Sequence, residues 1–137
     1  DFCAIYEREL YDSPNILPVG VIDVTTSLFE KIRRIASYVV LPSCSEGMSG
    51  SVLTAMSAGL IPIISRECGF ADDEVFHFRE CNVSCINDTL TTFSRKPLDW
   101  IKNESRRVAN TIRSRYGPEH FSHSFRVAME GLLEGRR

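Results

Sequence analysis

Two short, unbroken apolar runs with a small helical segment between them form the clearest pattern in the chain. The runs are Tyr38 to Pro42 and Ile61 to Ile64, and their β-branched content is typical of strands that are buried on both faces. The segment Val52 to Ala58 carries a helical pattern and is followed by Gly59, a residue type that commonly ends helices. Because a hairpin cannot bridge so long a connection, this order predicts parallel pairing with a right-handed crossover.

The flanking sequence adds further elements of both kinds. Apolar residues at helical spacing predict a helix from Phe2 to Leu10, which ends at Ser13-Pro14. The short apolar segment Ile16 to Gly20 predicts another buried strand. The apolar stripe from Leu28 to Ala36 predicts a helix that begins near Thr25.

Beyond Gly69 the pattern is weaker. Residues 71–84 show no clear period, and a short strand or a loop is expected near Val75 to Phe78. Apolar stripes then predict two closing helices, one from Leu98 to a stop at Tyr116-Gly117-Pro118 and one through Phe121 to Leu133. We therefore predict a single α/β domain, a Rossmann-like parallel sheet flanked by helices, with helices at its C-terminal end.

Composition limits the classes of protein to consider. The chain has 137 residues, 43% of them hydrophobic, and a formal charge of -2, which argues against a nucleic-acid partner bound through a broad basic face. No apolar run approaches the ~20 residues of a membrane span, so no transmembrane segment is predicted. The five cysteines are odd in number and include no CxxC pair, so we interpret them as reduced thiols in a reducing, cytoplasmic compartment.

Small polar residues and one carboxylate follow the first of the two central strands, in the stretch "SCSEGMSGS" from Ser43 to Ser51. In open parallel sheets, ligands bind beyond the carboxyl ends of the strands. Ser49 is a plausible N-cap for the following helix, whose first amides would be open to an anion. Gly47 and Gly50 would let a phosphate approach the backbone. The stretch lacks the Walker lysine, the G-x-G-x-x-G fingerprint and the G-x-S-x-G elbow.

The segment "YVVLPSCSEGMSGSVLTAMSAGLIPIIS" resembles the donor-binding half of group 1 retaining glycosyltransferases of GT-B fold. The family pattern has an apolar strand, P-S, E-G-F-G, a helix with a second Glu, A-M, a small residue, G and P-V-I. Pro42-Ser43, Glu46-Gly47, Ala55-Met56, Gly59 and Pro62 match it in order and spacing. "NILPVG", from Asn15 to Gly20, resembles the strand that precedes this segment in the family.

The resemblance implies a role for each matching position. Glu46 occupies the place of the catalytic carboxylate that contacts hydroxyls of the donor sugar. The amides of Met48, Ser49, Gly50 and Ser51, with Gly47 beside them, would hold the donor diphosphate. Ser45 is either a ligand contact or a turn residue, and Val21 and Ile22 lie where the family receives the base. Thr54 stands where the family has its second, ribose-binding Glu.

The implied function is that of the nucleotide-sugar-binding half of a glycosyltransferase, with a nucleoside-diphosphate sugar as substrate and no cofactor or metal. The resemblance further implies a truncated domain that lacks its first strand and helix, a basic pair and the N-terminal acceptor-binding domain. Such a fragment would be inactive alone, while the full-length parent would be an enzyme.

Other interpretations of the same residues stay open. Thr54 also suits a degenerate, non-catalytic binding or assembly module of the same fold, and the loop suits an unrelated phosphate-binding module of flavodoxin type. Glu46 can serve as a carboxylate at a helix start, and Thr54 can be an ordinary helix residue. His120 and His123 have the spacing to share a metal, but no acidic or cysteine partner accompanies them.

Overall fold

The computed structural model describes residues 2–134, which form two compact units, one ending at Ile32 and the other beginning at Arg33. The helices are α1 (Phe2–Ile5), α2 (Glu7–Tyr11), α3 (Ser27–Ile35), α4 (Gly50–Ser57), α5 (Val83–Ser94), α6 (Leu98–Arg115) and α7 (Pro118–Glu134). The strands are β1 (Tyr38–Leu41), β2 (Ile61–Ile64) and β3 (Phe76–His77), and a 3-10 turn spans Arg66–Cys68.

The first unit differs from the prediction in two places. The first predicted helix is interrupted at Tyr6, which separates α1 from α2. The predicted strand over Ile16 to Gly20 is wrong: the segment is irregular, and Leu17 is 82% exposed. A strand needs a neighbouring strand to satisfy its amides, and Pro18 has no amide hydrogen to donate to one. The helix expected near Thr25 begins at Ser27.

The second unit contains a three-stranded parallel sheet in the order β1-β2-β3. Tyr38 lies opposite Ile61 and Leu41 opposite Ile64, so the two central predicted strands and their parallel pairing are confirmed. β3 falls within the region where either a strand or a loop was expected. The fold class is thus α/β, a small parallel sheet flanked by helices, which is consistent with a Rossmann-like arrangement.

The connection from α4 to β2 explains why the helix ends where the sequence predicts. The amide of Gly59 donates to the Met56 carbonyl at 2.9 Å, and the amide of Leu60 donates to the Ala55 carbonyl at 3.0 Å. These two bonds are the Schellman pattern, which requires a left-handed residue after the helix. Gly59 has a φ of 84°, a conformation that glycine adopts without steric cost.

The main core lies between the sheet, α4 and α6. Its fully buried members include Val52 and Met56 of α4, Ile64 of β2 and Val108 of α6. A separate cluster of rings packs α5 and α6 against β3, with the Trp100 ring 5.7 Å from Phe76 and 5.9 Å from Phe93. Trp100 thus joins α6 to both β3 and α5 through ring contacts.

α5 was not predicted. Its residues Val83–Ser94 include several Thr, Ser and Asn, which have weak helix propensity. The helix begins at an Asn82 cap, whose side-chain oxygen accepts a hydrogen bond from the amide of Cys85 at 2.9 Å. α6 and α7 are confirmed, although the apolar stripe of α7 is exposed, with Phe121 at 69% and Leu132 at 65%.

A buried carboxylate joins the end of α6 to the loop before β3. Glu74 is 4% exposed and accepts hydrogen bonds from the amide of Ala71, from Arg115 at 3.0 Å and from the Tyr116 hydroxyl at 2.9 Å. Burial raises the pKa of Glu74, but these donors outweigh it and hold the pKa below its ordinary value. Burial and the carboxylate together raise the pKa of Tyr116 to about 12.

We expect Tyr116→Phe to lower the free energy of unfolding by about 1.5–3 kcal/mol, because it removes a hydrogen bond to a buried, charged group. The ring contact between Tyr116 and Phe70, with centroids 6.3 Å apart, is retained in this variant. Urea denaturation measures the change. Tyr11→Phe, at an exposed position, is the matched control and should leave the midpoint unchanged. Equal stability of the two variants would contradict the role assigned to the hydroxyl.

The lowered pKa of Glu74 also predicts how stability depends on pH. A carboxyl whose folded pKa is lower than its unfolded pKa contributes stability above the unfolded value and loses it as pH falls through the folded one. We therefore expect stability to fall on acidification below the ordinary glutamate range, and Glu74→Gln to flatten this dependence. Denaturation series at several pH values measure it, with Glu119→Gln on α7 as the exposed control. An unchanged slope in Glu74→Gln would exclude this carboxyl as the source.

Candidate functional site

The loop that follows β1 is fixed at its base by the turn after β2. The amide of Ser65 donates to the Leu41 carbonyl at 3.1 Å, and the Ser65 hydroxyl donates to the Ser43 carbonyl. The thiol of Cys68 lies 3.8 Å from the same Leu41 carbonyl oxygen. Ser65 and Cys68 are both buried. The start of the loop is therefore attached to the sheet edge through groups that water does not reach.

The far end of the loop also packs against this turn. Gly69 has a φ of 75° and ends the 3-10 turn in the left-handed conformation. A Cβ atom at Gly69 would lie 3.6 Å from the backbone of Gly47 and from the amide nitrogen of Met48. The peptide that joins Gly47 to Met48 thus runs directly over Gly69.

Ser49 is the residue that starts α4, but its side chain does not cap the helix. Its backbone is extended, and its carbonyl accepts the amide of Leu53 at 3.1 Å, as expected of an N-cap position. Its buried hydroxyl instead lies 3.0 Å from the hydroxyl of Ser51. The N-cap position is confirmed, while the side-chain bond typical of an N-cap is not formed.

The first amides of α4 consequently keep their hydrogens available. Among the described residues, the amides of Gly50, Ser51 and Val52 have no hydrogen-bond acceptor. A Cβ atom at Gly47 or Gly50 would meet nothing within 4 Å, so the space beside both glycines is open. Unpaired amides at a helix N-terminus carry partial positive charge and favour anions.

Glu46 lies in the exposed part of the same loop, between Ser45 and Gly47. All three residues are exposed, and within the described chain the Glu46 carboxylate forms no ion pair or hydrogen bond. Two cavities lie elsewhere: one of about 610 Å³ is lined by Arg113, His120 and His123, and one of about 460 Å³ by Ser57, Ser105 and Arg106 among others. The loop presents its polar groups on an open surface instead.

Thr54 lies one turn further along α4. Its hydroxyl donates to the carbonyl of Gly50 at 2.9 Å, a bond that many helical Ser and Thr residues make. The hydroxyl oxygen retains its lone pairs, so it can still accept a hydrogen bond, but it carries no charge. The carboxylate chemistry of the family's second Glu is therefore missing at this position.

Val21 and Ile22, the residues predicted to receive the base, belong to the first unit. They lie in an irregular segment before α3, where Val21 is fully exposed and Ile22 is partly buried. Asp23 follows them and accepts hydrogen bonds from the amide and the hydroxyl of Thr25, both at 2.8 Å. The donors on Thr25, its amide first, lower the pKa of Asp23.

The sequence did not indicate that two cysteines lie in loops at the same edge of the sheet. All five cysteines, which lie in the described part of the chain, are reduced. Cys44 follows β1 and Cys81 follows β3. Desolvation raises the pKa of the Cys81 thiol, and the Cys44 and Glu67 side chains raise it further. The available signal was their shared position after strands that leave the sheet at the same edge.

No group of three or more His, Cys, Asp or Glu side chains in residues 2–134 is placed to hold a metal ion. None of the helices in that range is long and apolar enough to cross a membrane.

Comparison of the chain with protein-family models, with curated proteins and with solved structures gave no match. The likeness to glycosyltransferases therefore depends on the residues of the segment from Asn15 to Gly69, and the function is argued from the site itself.

Proposed function

We propose that this chain is the nucleotide-sugar-binding half of a cytoplasmic retaining glycosyltransferase of GT-B fold. One observation carries the proposal: a single loop at the carboxyl edge of the sheet presents the Glu46 carboxylate and then the helix start from Gly50 to Val52. Within residues 2–134, neither this carboxylate nor the three amides of the helix start have a hydrogen-bond partner. The donor in such a reaction is a nucleoside-diphosphate sugar, which has phosphate oxygens and sugar hydroxyls close together.

The helix start suits the phosphate part of the donor. When the sugar departs, negative charge accumulates on the leaving nucleoside diphosphate, and fixed hydrogen-bond donors stabilise that charge without having to reorganise. The amides of Gly50, Ser51 and Val52 are donors of this kind. The open space beside Gly47 and Gly50 gives a diphosphate access to the backbone.

Glu46 suits the sugar part. A retaining transfer develops oxocarbenium character on the sugar ring, so the ring must be held in a defined orientation. An ionised carboxylate accepts two or more hydrogen bonds from hydroxyls, and such charge-assisted bonds are the stronger kind. Glu46 forms no ion pair among the described residues that would have to break first.

The proposal assigns only donor binding to this chain. Other parts of the parent enzyme are assigned the binding of the acceptor. They are also assigned the first strand of the sheet and the basic pair of the diphosphate clamp. Transfer requires both substrates to be held together, so the chain alone is expected to bind its donor weakly and to be inactive.

Thr54 favours a second candidate, a non-catalytic binding or assembly module of the same fold. Its hydroxyl is already engaged with the Gly50 carbonyl, and it lacks the charge with which the family's second Glu grips the ribose. In this alternative the loop geometry persists while the nucleoside contact is lost.

We expect millimolar uridine, guanosine or adenosine diphosphate to shift the amide resonances from Met48 to Val52, most strongly those of Gly50, Ser51 and Val52, because the diphosphate accepts hydrogen bonds from these three amides. Nuclear magnetic resonance titration of the labelled chain measures the shifts. The corresponding nucleosides, which lack phosphate, are the control ligands and should leave these resonances in place. An absence of shifts with every diphosphate would count against donor binding.

Glu46→Gln should weaken binding of a nucleoside-diphosphate sugar by about tenfold, equivalent to about 1.4 kcal/mol, and should leave binding of the plain nucleoside diphosphate nearly unchanged. The reason is that the carboxylate is assigned to the sugar alone. Glu67→Gln, at an exposed carboxylate in the neighbouring 3-10 turn, is the matched control. Equal losses for both ligands would contradict the assignment of Glu46 to the sugar.

Thr54→Glu restores the carboxylate of the family pattern and distinguishes the two candidates. If the chain binds nucleotides and Thr54 is a weakened ribose contact, this variant should bind a nucleoside diphosphate about tenfold more tightly than the native chain does. Its affinity for inorganic pyrophosphate, which has no ribose, should not increase. Ser57→Glu adds the same charge further along α4 and is the control. Failure of both the native chain and Thr54→Glu to bind any nucleotide would favour the non-catalytic module.

A further inference from the structure

Three arginine side chains line one cavity at the opposite end of α4 from the candidate site. The cavity has a volume of about 460 Å³ and is bounded by the last residues of α4, by α6 and by one residue of α3. Its polar lining consists of Arg33, Arg106, Arg113, Ser57, Ser105 and Asn110. No carboxylate of the described residues lines it, although the chain as a whole has a formal charge of -2.

Helical spacing brings two of these arginines to one wall. Arg106, Asn110 and Arg113 occupy positions i, i+4 and i+7 of α6, which share one face of a helix. The Arg113 guanidinium donates to the side-chain oxygen of Asn110 at 3.3 Å. α6 also lies close to the end of α4, since a Cβ atom at Gly59 would lie 2.7 Å from the Ser105 hydroxyl oxygen. The cavity wall is thus built where two packed helices meet.

The arginines of α6 differ in how their charge is neutralised. Arg107 and Arg115 each lie within 3.0 Å of a carboxylate oxygen. Arg106 and Arg113 form no ion pair with any residue in the range 2–134. The two arginines that line the cavity are therefore the two members of this helix whose charge the described part of the chain does not balance.

The end of α4 accounts for only part of this positive charge. The C-terminal end of a helix carries about half a negative charge, which attracts cations. The last carbonyls of α4, at Thr54, Ala55 and Met56, already accept hydrogen bonds from the amides of Ala58 and Gly59. Three guanidinium groups around one cavity exceed what this helix end can balance, so the site suits an anion.

We propose that this cavity binds a small phosphate compound, at a site separate from the proposed donor site. A guanidinium presents paired, planar donors that match two oxygens of one phosphate group. A phosphate ester carries about 1.5–2 negative charges at neutral pH, so it can pair with more than one arginine, whereas a carboxylate carries a single charge. The Ser105 hydroxyl adds a donor to the same wall.

Binding also removes an unfavourable interaction. Like charges that share one wall repel each other, and a bound dianion replaces this repulsion by attraction. A volume of about 460 Å³ is within the range of sites for small molecules and leaves room for a group attached to the phosphate. The inference does not depend on the proposed function, because the start of α4 takes no part in it.

The test is a nuclear magnetic resonance titration of the labelled full chain with inorganic pyrophosphate, at an ionic strength kept constant with sodium chloride. We expect saturable shifts of the Asn110 amide and of the side-chain resonances of Arg106 and Arg113. A hexose monophosphate is titrated in the same way, and the tighter of the two ligands shows whether the site takes inorganic or ester-linked phosphate. Shifts confined to the amides from Met48 to Val52 would support the donor site and overturn this proposal.

Arg106→Gln and Arg113→Gln should each weaken binding at this site by about tenfold, because each removes a charge-assisted contact to phosphate. Arg106→Lys keeps the charge but not the paired donors, so its affinity should lie between those of the native chain and Arg106→Gln. Arg95→Gln, at an exposed arginine that does not line the cavity, is the matched control for net charge and should bind as the native chain does.

The variants at Arg106 and Arg113 change exposed side chains, and thermal melting without ligand shows that they are folded. Unchanged affinity in the double variant would overturn the proposal. Equal shifts when sodium chloride alone is added to the same ionic strength would also overturn it, because general screening and not phosphate binding would then be their cause.

Discussion

The parallel pairing of β1 with β2 is the constraint on which the rest of the second unit depends. Leu41 lies opposite Ile64, so both strands leave the sheet at the same edge and at the same level. The loop after β1 and the turn after β2 must then share that edge, where the Ser65 hydroxyl reaches the Ser43 carbonyl. This register therefore fixes the base of the loop that carries the polar groups of the candidate site.

Pro62 explains why β2 pairs over four residues with β1 but over only two with β3. In a parallel strand, alternate residues direct their amides to opposite neighbours. The amides of Ile61 and Ser65 donate to the β1 side, at Ser37 and Leu41, so residue 62 faces β3. Proline has no amide hydrogen, and the pairing with β3 begins only at Ile63. β3 is consequently two residues long, and the chain departs from it directly into the loop that contains Cys81.

The sequence predicted most accurately the elements that are determined by a local residue preference or by a strongly apolar, buried segment. α4 ends at Gly59 because the left-handed turn there needs glycine, and β2 is buried because it lies between two layers. The segment from Ile16 to Gly20 has an equally apolar pattern, but a strand also requires a partner, which no local pattern reveals. α5 was missed although its cap at Asn82 is a local signal, because the apolar stripe of this helix is too weak to indicate a helix by itself.

The sequence predicted which residues lie in the loop of the candidate site, but not which hydrogen bonds their side chains make. The sequence places Ser49 at the start of α4, and the structure agrees, yet its hydroxyl lies against Ser51 instead of an amide. A serine hydroxyl has several partners within one turn, and small differences in torsion decide among them.

The two halves of the candidate site restrict the ligand more strongly together than either does alone. The amides at the start of α4, which have no acceptor in the described part of the chain, favour an anion, whereas the Glu46 carboxylate repels one and favours hydroxyl donors. A free phosphate suits only the amides, and a neutral sugar suits only the carboxylate. A molecule that joins phosphate to a sugar satisfies both, because its charge is directed at the helix and its hydroxyls at Glu46. This opposition of charge, and not the helix start by itself, is the physical reason to favour a sugar phosphate ester over an inorganic anion at this loop.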